Sequence, residues 1–580
     1  ALGNASTGSI TLGGAEYNTS GTQTYTTAVS GSIDISGTDA DFNSNGENLT
    51  FSELYLTNDG TTIIDTGSGS GGNVSIGGVI ETDGGNNDDL EIISGSGTTT
   101  ISGDIGATNK LSSIAINSSS GSGAITLSGN IGDGDSDGVN SFATFGNTST
   151  STLTLAGTIY KTNHVTTYRT SSGNNILITG GDVLISSGHN LRFHTGNVVL
   201  STDGTTTINT SNRELRFDAT IEGTASEAEN LVLESGSGSV KLFGAIGGTN
   251  PIADLTINSS GTGAITISQI GNAQVGVIGT SNIGNTSTTG ITFSGTTYLF
   301  GNAAGQSDTV TITATGTGEV IDFTGGATTF ASAGENAATA GNAITFATGT
   351  IDLANGSNLT ITSDGGAISV AGIRGNSSET VTITANVTDG GNASTTETIA
   401  LTGAIGNADE IGAVTLNAND GITMSGNITL ADSAGADLDI NGKVFISGDV
   451  TIDTHNTNED GTINFSSTID GVSGGAADDL VIKAGDTDNG AGLTITGNIG
   501  DAVPLTTLKI NESAGTVALS IPQIGGADTA GVSGQVDIGN SNTASVTMSA
   551  ATYDFGQGAV NITGNTTFSA TNPSVDSIES

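Results

Sequence analysis

The sequence predicts an all-β protein that folds as a parallel β-helix (a β-solenoid), elongated and with about 22–26 residues in each turn, or rung, of the coil. Three observations support this prediction. Short alternating strands follow one another without helical stretches, matching phrases recur about one rung apart, and the composition combines 91 glycines in 580 residues with no Trp and no Cys.

The strand pattern is clearest in residues 175–204, which read NILITGGDVLISSGHNLRFHTGNVVLSTDG. Apolar residues alternate with polar ones there, as expected for strands with one buried face. The alternating pairs start seven or eight positions apart and are Ile176/Ile178, Val183/Ile185, Leu191/Phe193 and Val198/Leu200. Three such steps make one rung of a three-sided coil, and the Gly, Asn, Asp and Ser residues between them form its corners.

Matching phrases support the same rung length. The LRF phrases that begin at Leu191 and Leu215 are separated by one predicted rung, so we expect them to lie on successive rungs. Isoleucines that close Ile-Gly phrases have a similar spacing, in the pairs Ile105 and Ile131, Ile246 and Ile270, and Ile499 and Ile524.

The sequence also has a longer repeat, a module that spans several rungs. The phrase DDLEIISGSG from Asp88 returns as ENLVLESGSG from Glu229 and DDLVIKAG from Asp478, with a weaker copy, ETVTITANV, from Glu379. A later phrase of the module recurs as FGNTST, IGNTST and IGNSNT. We therefore divide one continuous solenoid into N-terminal rungs (1–87), module 1 (88–228), module 2 (229–378), a shortened module 3 (379–477), and module 4 with a C-terminal tail (478–580). A chain of β-sandwiches is the alternative, and it normally has longer strands and core Trp or Tyr.

The charge balance is strongly acidic, with 57 Asp and Glu against 11 Lys and Arg, for a net charge of −46. Such a surface repels nucleic acid and anionic lipid and attracts divalent cations. The bases are thinly spread, with local pairs only at Arg192, Arg213 and Arg216. Without cysteine the chain has no disulfide, catalytic thiol or thiolate metal site.

The chain shows no run of 18 apolar residues and no signal-peptide pattern at Ala1, so we expect no membrane insertion. If it is exported, the signal has been removed or the chain is a piece of a longer precursor. The N-x-[ST] triplets at Asn117, Asn147 and Asn285 are expected by chance in so Asn-, Ser- and Thr-rich a chain.

The SGNIG and TGNIG phrases, the ITLSG and LTITG strands and the Gly/Ser/Thr/Asn background resemble the large repetitive surface proteins of bacteria. These include filamentous-haemagglutinin-like and autotransporter-passenger β-helices and some surface-layer proteins. The resemblance covers nearly the whole chain and lies in composition and phrasing rather than in a diagnostic motif. It implies export, surface display, and adhesion or structural assembly, and it transfers no functional residue.

Calcium is the one ligand that the sequence predicts. Three stretches place oxygen side chains at alternate positions before a Gly, as calcium loops do. The best candidate site is formed by Asp133, Asp135 and Asp137, a weaker one by Asp41, Asn43 and Asn45, and the third stretch contains Asn456, Asn458 and Asp460. The closing Glu of an EF-hand is missing in all three, where Ser52, Thr144 and Ser467 stand. Plain solvated turns are the alternative interpretation.

No catalytic residue is predicted. The acidic doublets at Asp88 and Asp478 occupy equivalent repeat positions, which indicates a structural corner rather than paired catalytic carboxylates. His189 and His194 flank one strand and are expected to face solvent rather than bind a transition metal. No phosphate-binding, dinucleotide-binding or nucleophile motif occurs.

These observations favour a non-enzymatic extracellular protein at the cell surface, a building block of a filament, sheath or surface layer whose main partner is itself. An adhesin stalk of a larger secreted protein, with cell-surface glycans as partners, is the first alternative. A polysaccharide-processing β-helix enzyme is the second.

Overall fold

The computed structural model describes residues 1–67, 69–85, 87–301, 308–315, 320–332, 342–385, 397–407, 409–433, 435–455, 460–474, 478–485, 492–512, 515–526, 530–556, 558–568 and 574–576. The chain divides into two compact units, Ala1–Thr288 (unit 1) and Thr289–Ser580 (unit 2), which are described separately. Their boundary lies inside the stretch assigned to module 2.

Strands of two to seven residues, bounded by Gly, Asn, Asp and Ser, make up unit 1. They are β1 (Leu2–Gly3), β2 (Ser9–Leu12), β3 (Glu16–Asn18), β4 (Gln23–Thr26), β5 (Ser32–Ile35), β6 (Asp41–Asn43), β7 (Leu49–Phe51), β8 (Leu54–Leu56), β9 (Thr61–Asp65), β10 (Val74–Ile76), β11 (Ile80–Thr82), β12 (Asp89–Ile93), β13 (Thr99–Ile101), β14 (Ser113–Ile116), β15 (Ile125–Leu127), β16 (Ala143–Phe145), β17 (Thr152–Leu155), β18 (Ile159–Thr162), β19 (Thr166–Arg169), β20 (Asn175–Ile178), β21 (Val183–Ser187), β22 (Leu191–Thr195), β23 (Asn197–Leu200), β24 (Gly204–Thr210), β25 (Leu215–Phe217), β26 (Ile221–Glu222), β27 (Glu229–Glu234), β28 (Val240–Ile246), β29 (Leu255–Ile257), β30 (Ile265–Ile270) and β31 (Ser281–Gly284).

Unit 2 is built in the same way. Its strands are β32 (Ile291–Phe293), β33 (Thr297–Phe300), β34 (Thr309–Thr313), β35 (Val320–Phe323), β36 (Thr328–Ser332), β37 (Ala343–Thr348), β38 (Thr350–Leu353), β39 (Leu359–Ser363), β40 (Ile368–Val370), β41 (Ile373–Arg374), β42 (Thr380–Ala385), β43 (Thr398–Leu401), β44 (Ala413–Ala418), β45 (Gly421–Met424), β46 (Ile428–Thr429), β47 (Leu438–Asn441), β48 (Val444–Ile446), β49 (Asp449–Asp453), β50 (Thr462–Phe465), β51 (Ile469–Gly471), β52 (Asp479–Lys483), β53 (Gly492–Ile495), β54 (Thr507–Ile510), β55 (Leu519–Ile521), β56 (Val536–Ile538), β57 (Val546–Met548), β58 (Thr552–Asp554), β59 (Val560–Ile562), β60 (Thr566–Phe568) and β61 (Ser574–Asp576).

In unit 1 the strands form three parallel ladders. The first runs through β2, β5, β8 and β11 and resumes through β18, β21, β24, β27, β29 and β31, with single bridges Ile80–Ile105–Ile131–Tyr160 between the two parts. The second runs through β3, β6, β9, β12, β14, β16, β19, β22, β25, β28 and β30. The third runs through β1, β4, β7, β10, β13, β15, β17, β20, β23 and β26, and then through the second halves of β28 and β30.

Unit 2 also has three parallel ladders. Its first ladder runs from β34 through β37, β40, β43, β45 and β48 to β51, and after single bridges resumes in β58 and β61. Its second begins with β32, β35, β38 and β41 and continues through β46, β49, β52, β54, β56 and β59. Its third contains β33, β36, β39, β42, β44, β47, β50 and β53, and then β55, β57 and β60.

The predicted fold class is confirmed. Every strand pairing that the structure describes is parallel, the described residues contain no helix, and the two units together make about 20 rungs of β-solenoid. The described residues accordingly include no helix long and apolar enough for a membrane span. Rung length varies more than predicted. In unit 1, Asp34 pairs with Tyr55 across a rung shorter than predicted, and Ile131 pairs with Tyr160 across a longer one.

The predicted register is confirmed as well. Leu191 pairs with Leu215, and Arg192 with Arg216, on successive rungs of unit 1. The isoleucine pairs at 105 and 131, 246 and 270, and 499 and 524 are also rung neighbours. Rung spacing in the sequence is therefore a direct guide to which side chains stack.

The core of each unit is a narrow column of alternate strand residues. In the second ladder of unit 1, aromatic rings stack inside the coil from rung to rung: Phe145 on Tyr168, Tyr168 on Phe193, and Phe193 on Phe217, with ring centroids 5.3, 5.1 and 4.6 Å apart. Stacked rings at these distances are favourable beyond the area they bury. A column of this kind explains how 16 Phe and 7 Tyr serve a chain of 580 residues.

The repeated Ile-Gly phrases mark a corner where only glycine fits. Gly106 and Gly247 both have φ of +61°, in the left-handed region that disfavours other residues. A Cβ atom at either position would lie 2.1 Å from a carbonyl oxygen of the next rung, that of Gly138 or Gly276. The phrase is therefore repeated because the coil needs it at this corner.

Candidate functional site

The loop predicted as the best calcium site is closed by its own hydrogen bonds. Asp133 Oδ1 accepts the backbone N–H groups of Asp135 and Ser136 at 2.8 and 2.6 Å. These bonds lower the pKa of Asp133, and the Lys161 ammonium lowers it further. Lys161 Nζ also donates to the Gly134 carbonyl at 3.1 Å. One carboxylate oxygen and one carbonyl of the loop thus already have donors.

An open groove lies beside this loop. It has a volume of about 390 Å³ and is lined by Asp135, Asp137, Lys110 and Asn109, among others. The lining therefore carries both signs of charge. In the part of the chain that the structure describes, no group of three or more Asp, Glu or His side chains could hold a metal ion. Calcium at Asp133, Asp135 and Asp137 remains a prediction of the sequence.

Of the other two stretches, the one at Asp41 does not form a comparable loop, and the one at Asn456 lies mostly outside the described residues. Asp41 and Asn43 belong to strand β6, with Asn45 in the turn that follows, where its N–H donates to Asn43 Oδ1 at 2.9 Å. Asn456 and Asn458 lie outside the described residues.

The acids that open modules 1 and 2 are buried and bonded to backbone. Asp88 is 0% exposed, and its Oδ1 accepts the N–H groups of Asn58 and Asp59 at 3.0 and 2.9 Å. Burial raises the pKa of Asp88, and these two hydrogen bonds oppose the rise. Glu229 is 1% exposed and accepts the N–H of Thr224 at 3.2 Å. Both acids therefore hold backbone groups of the coil, and their structural role at these corners stays a prediction.

The equivalent acids of modules 3 and 4 do the same in unit 2. Glu379 is fully buried, and its carboxylate accepts the N–H groups of Gly356 and Asn376 at 2.8 and 2.6 Å. Burial acts to raise the pKa of Glu379, but the hydrogen bonds outweigh it and hold the pKa below its usual value. Asp478 accepts the N–H of Gly448 at 3.1 Å. The carboxylates of both modules thus tie neighbouring rungs together.

Buried asparagines form a second recurring corner. Asn117 has φ of +49° and is fully buried, and its Oδ1 accepts the N–H of Ser94 at 2.8 Å. One rung on, Asn147 Nδ2 donates to the carbonyls of Asn117 and Gly121. The same arrangement recurs for Asn258 with Asn285 in unit 1 and for Asn511 with Asn540 in unit 2.

The N-x-[ST] triplets at Asn117, Asn147 and Asn285 were expected by chance from composition alone. The structure gives these asparagines a specific role, because each side-chain amide donates to an oxygen of the preceding rung or corner. The FGNTST, IGNTST and IGNSNT phrases are therefore repeated for the asparagine that they contain.

His164, His189 and His194 are partly exposed. The rings of His164 and His189 stack with their centroids 4.7 Å apart. The ring of Phe142, which is 56% exposed, packs edge-to-face with His164, with centroids 4.8 Å apart. His194 lies in strand β22, where burial and the neighbouring Arg169 and other guanidinium groups lower its pKa.

The structure also assembles a charged column that no local motif marks. One outward position of the second ladder of unit 1 is occupied, from rung to rung, by Glu16, Asp41, Ile63, Glu91, Ala115, Thr144, Thr167, Arg192, Arg216, Lys241 and Thr266. The column is acidic at one end, neutral in the middle and basic at the other.

At the basic end, three cations lie on successive rungs, about 4.8 Å apart. Arg192 and Arg216 both bond the Asp218 carboxylate at 2.6 Å, and Lys241 bonds Glu214. The Arg216 guanidinium also lies 4.8 Å above the Phe243 ring, which is 47% exposed.

The basic end keeps an excess of positive charge. Arg169, in strand β19, adds a fourth cation, and its Nε has no hydrogen-bond partner. Four cations thus face two carboxylates, Asp218 and Glu214. In a chain of net charge −46, this is a local reversal of sign.

The acidic end shows the opposite imbalance. Asp41 pairs with Glu16 on the preceding rung, and Asp65 lies on the following rung, two positions along the strand from Ile63. Burial raises the pKa of Asp41, and the charges of Asp65 and Glu16 raise it further. Within the described residues, neither Asp41 nor Glu91 forms an ion pair with Lys or Arg.

A signal for the basic end was present in the sequence. Arg192, Arg216 and Lys241 follow one another at the spacing already assigned to one rung. A search for charges clustered along the chain misses such residues, whereas aligning the sequence at the rung period places them together.

No family model, curated protein or solved structure matches this chain.

Proposed function

We propose that this chain is a non-enzymatic structural protein, a self-associating building block of an extracellular filament, sheath or surface layer. One observation carries the proposal. The residues that recur through the chain, the buried acids and the asparagine and Ile-Gly corners, are engaged in hydrogen bonds and close contacts between rungs. The repeated residues are therefore those that hold the coil together.

Charge and surface chemistry support the same proposal. Outward strand positions are dominated by Thr, Ser and other polar residues that suit an exposed sheet. The large negative charge keeps separate copies soluble, so that association depends on matched patches or on cations. The resemblance to repetitive bacterial surface proteins supports export and display.

The polysaccharide-processing alternative has less support. Glycoside hydrolysis uses two carboxylates on either side of a sugar, commonly about 5–9.5 Å apart and open to substrate. The acids that recur here at module starts, such as Asp88 and Glu379, are instead buried against backbone amides. The adhesin alternative has one observation in its favour, the outward cations at Arg192, Arg216 and Lys241, which could contact an acidic glycan.

Electron microscopy of the purified chain tests the proposal directly. We expect regular filaments or sheets at high protein concentration, with and without calcium. Incubation with a panel of polysaccharides, followed by chromatography of the products, is the matched test for the enzyme. Isolated particles under every condition would favour the adhesin stalk, and shortened glycan products would contradict a purely structural role.

A further inference from the structure

The charged column of unit 1 is self-complementary. Counting Glu16 as rung 1, the acids Asp41 and Glu91 lie on rungs 2 and 4, and the bases Arg192 and Lys241 lie on rungs 8 and 10. The midpoint of these positions is rung 6. A second copy turned end for end about rung 6 therefore brings Asp41 opposite Lys241 and Glu91 opposite Arg192. The two remaining charged residues of the column meet uncharged ones, Glu16 opposite Thr266 and Arg216 opposite Ile63.

We propose that two copies of the chain associate through this column, face to face and antiparallel, on a two-fold axis at Thr144. In this arrangement Arg192 of each copy faces Glu91 of the other, and Lys241 faces Asp41. The two-fold axis runs parallel to the strands. Rotation about it reverses the order of the rungs and turns the two faces toward each other, and each residue keeps its position along the strand direction. The inference rests on the proposed function, since it names the partner and the surface for self-association.

The middle of the column permits close approach. Rungs 5, 6 and 7 carry Ala115, Thr144 and Thr167, which are small and uncharged. Two such surfaces can meet without burying an unpaired charge at the axis, which would be costly. A parallel arrangement of the two copies would instead place acid against acid and base against base, and it is disfavoured for that reason.

The face is large enough for a specific contact. Eleven rungs at about 4.8 Å make a strip about 48 Å long, and four strand residues make it about 13 Å wide. The strip therefore offers about 600 Å² per copy, or about 1,200 Å² for the pair, near the lower bound of stable protein interfaces.

The acidic end distinguishes a second copy from a polyanion. An acidic glycan would use Arg192, Arg216 and Lys241 but would be repelled by Glu16, Asp41 and Glu91 on the same face. A second copy uses both ends at once. Arg169 adds a cation at the basic end, and within the described residues Asp41 forms no ion pair with Lys or Arg, so each end has charge to offer.

Charge exchange between two variants tests the pairing. The first variant is Arg192→Glu with Lys241→Glu, and the second is Asp41→Lys with Glu91→Lys. In each variant the two proposed pairs become like-charged, acid against acid in the first and base against base in the second, so each should stay monomeric where the natural chain associates. Mixed in equal amounts, they should form a 1:1 complex, because every altered residue again faces an opposite charge.

Sedimentation velocity at low salt, about 50 mM, measures this, since surface ion pairs are screened as ionic strength rises. Lys110→Glu with Lys443→Glu changes the net charge as much as the first variant but lies off the column, so it should associate like the natural chain. Circular dichroism establishes that each variant is folded, and Arg192→Gln with Lys241→Gln replaces the first variant if it is not.

Several results would overturn the inference: a mixture that stays monomeric, a charge-reversed variant that associates as the natural chain does, or a natural chain that is monomeric yet retained on a polyuronate column through Arg192 and Lys241. Filaments that persist in both variants would reject this interface and leave the proposed structural function standing.

Discussion

Replacing the buried Asn258 by alanine should open unit 1 locally. Asn258 has φ of +47°, accepts the N–H of Ser235 at 2.8 Å and donates to the Gly263 carbonyl at 3.1 Å. Each buried group left without its partner costs about 1–3 kcal/mol. Alanine in the left-handed region costs about 1–2 kcal/mol more. The loss is therefore about 3–8 kcal/mol, concentrated in two or three rungs.

Hydrogen exchange measured by mass spectrometry is the suitable assay, because rungs contact mainly their neighbours and opening is expected to be local. A loss of about 3 kcal/mol corresponds to exchange about 100-fold faster in the rungs around Ser235 and Asn258. Asn258→Asp keeps the acceptor and tolerates the backbone conformation, so it should show a smaller effect. Asn282→Ala, at an exposed position of β31, is the matched control.

The reasoning fails in two cases. One is unchanged exchange in Asn258→Ala, which would show that Ser235 and Gly263 find other partners at little cost. The other is an equal effect in Asn282→Ala, which would show that any change on this ladder loosens the coil and that the buried corner has no special role.

Three further outcomes are expected. Far-UV circular dichroism should be dominated by strand, with less than about one-tenth helix; helix near one-third would contradict the fold. If calcium binds at the Asp133 loop, it should raise the melting temperature, and Asp135→Ala should remove most of the increment; an unchanged increment places the ion elsewhere. Since the pKa of Glu379 lies below its usual 4.5, its carboxylate stabilises the fold above that pH and the stabilisation is lost as pH falls through the lowered value. Glu379→Gln should therefore destabilise more at pH 7 than at pH 3 in urea unfolding. Asp88 has a raised pKa, so its ionised form is the costly one and Asp88→Asn should cost less at pH 7 than Glu379→Gln.

The fold was predictable because its signals are periodic. Alternation within strands and the one-rung spacing of Leu191 and Leu215 determine ladders and register without knowledge of any long-range contact. The corners were predictable in type, since Asn and Gly tolerate left-handed backbone. The role of Asn147 was not, because its partners, the carbonyls of Asn117 and Gly121, belong to the preceding rung.

The charged column was missed for a related reason. The cations at its basic end follow the predicted rung spacing, but they fall in one column with the acids Asp41 and Glu91 only when the exact register of the intervening rungs is known. Rung length varies within unit 1, as the short rung from Asp34 to Tyr55 and the long one from Ile131 to Tyr160 show, so no fixed period supplies that register along the whole unit. Loop candidates such as Asp133 were found more easily because they are local in sequence, although their ligand sets depend on neighbours such as Lys161.

The chain has two periods, the rung and the longer module, and the module is not a whole number of rungs. This mismatch distinguishes features that the module repeats from features that occur once. The module that contains Leu90 returns at Leu231, and the interval between them is not a whole number of rungs. As a result, β12 at the start of module 1 lies in the second ladder of unit 1, whereas β27 at the start of module 2 lies in the first. In unit 2, β42 and β52 likewise lie in different ladders. Successive modules therefore place the same corners on different sides of the coil. A feature confined to one ladder cannot arise from module repetition alone, and the charged column is such a feature. The position of module 2 that matches Glu91 is Val232, and the position of module 1 that matches Lys241 is Thr100. The repeated corner residues build the coil. The charged column does not follow the module repeat, and it is therefore the surface on which we expect a specific contact with a second copy.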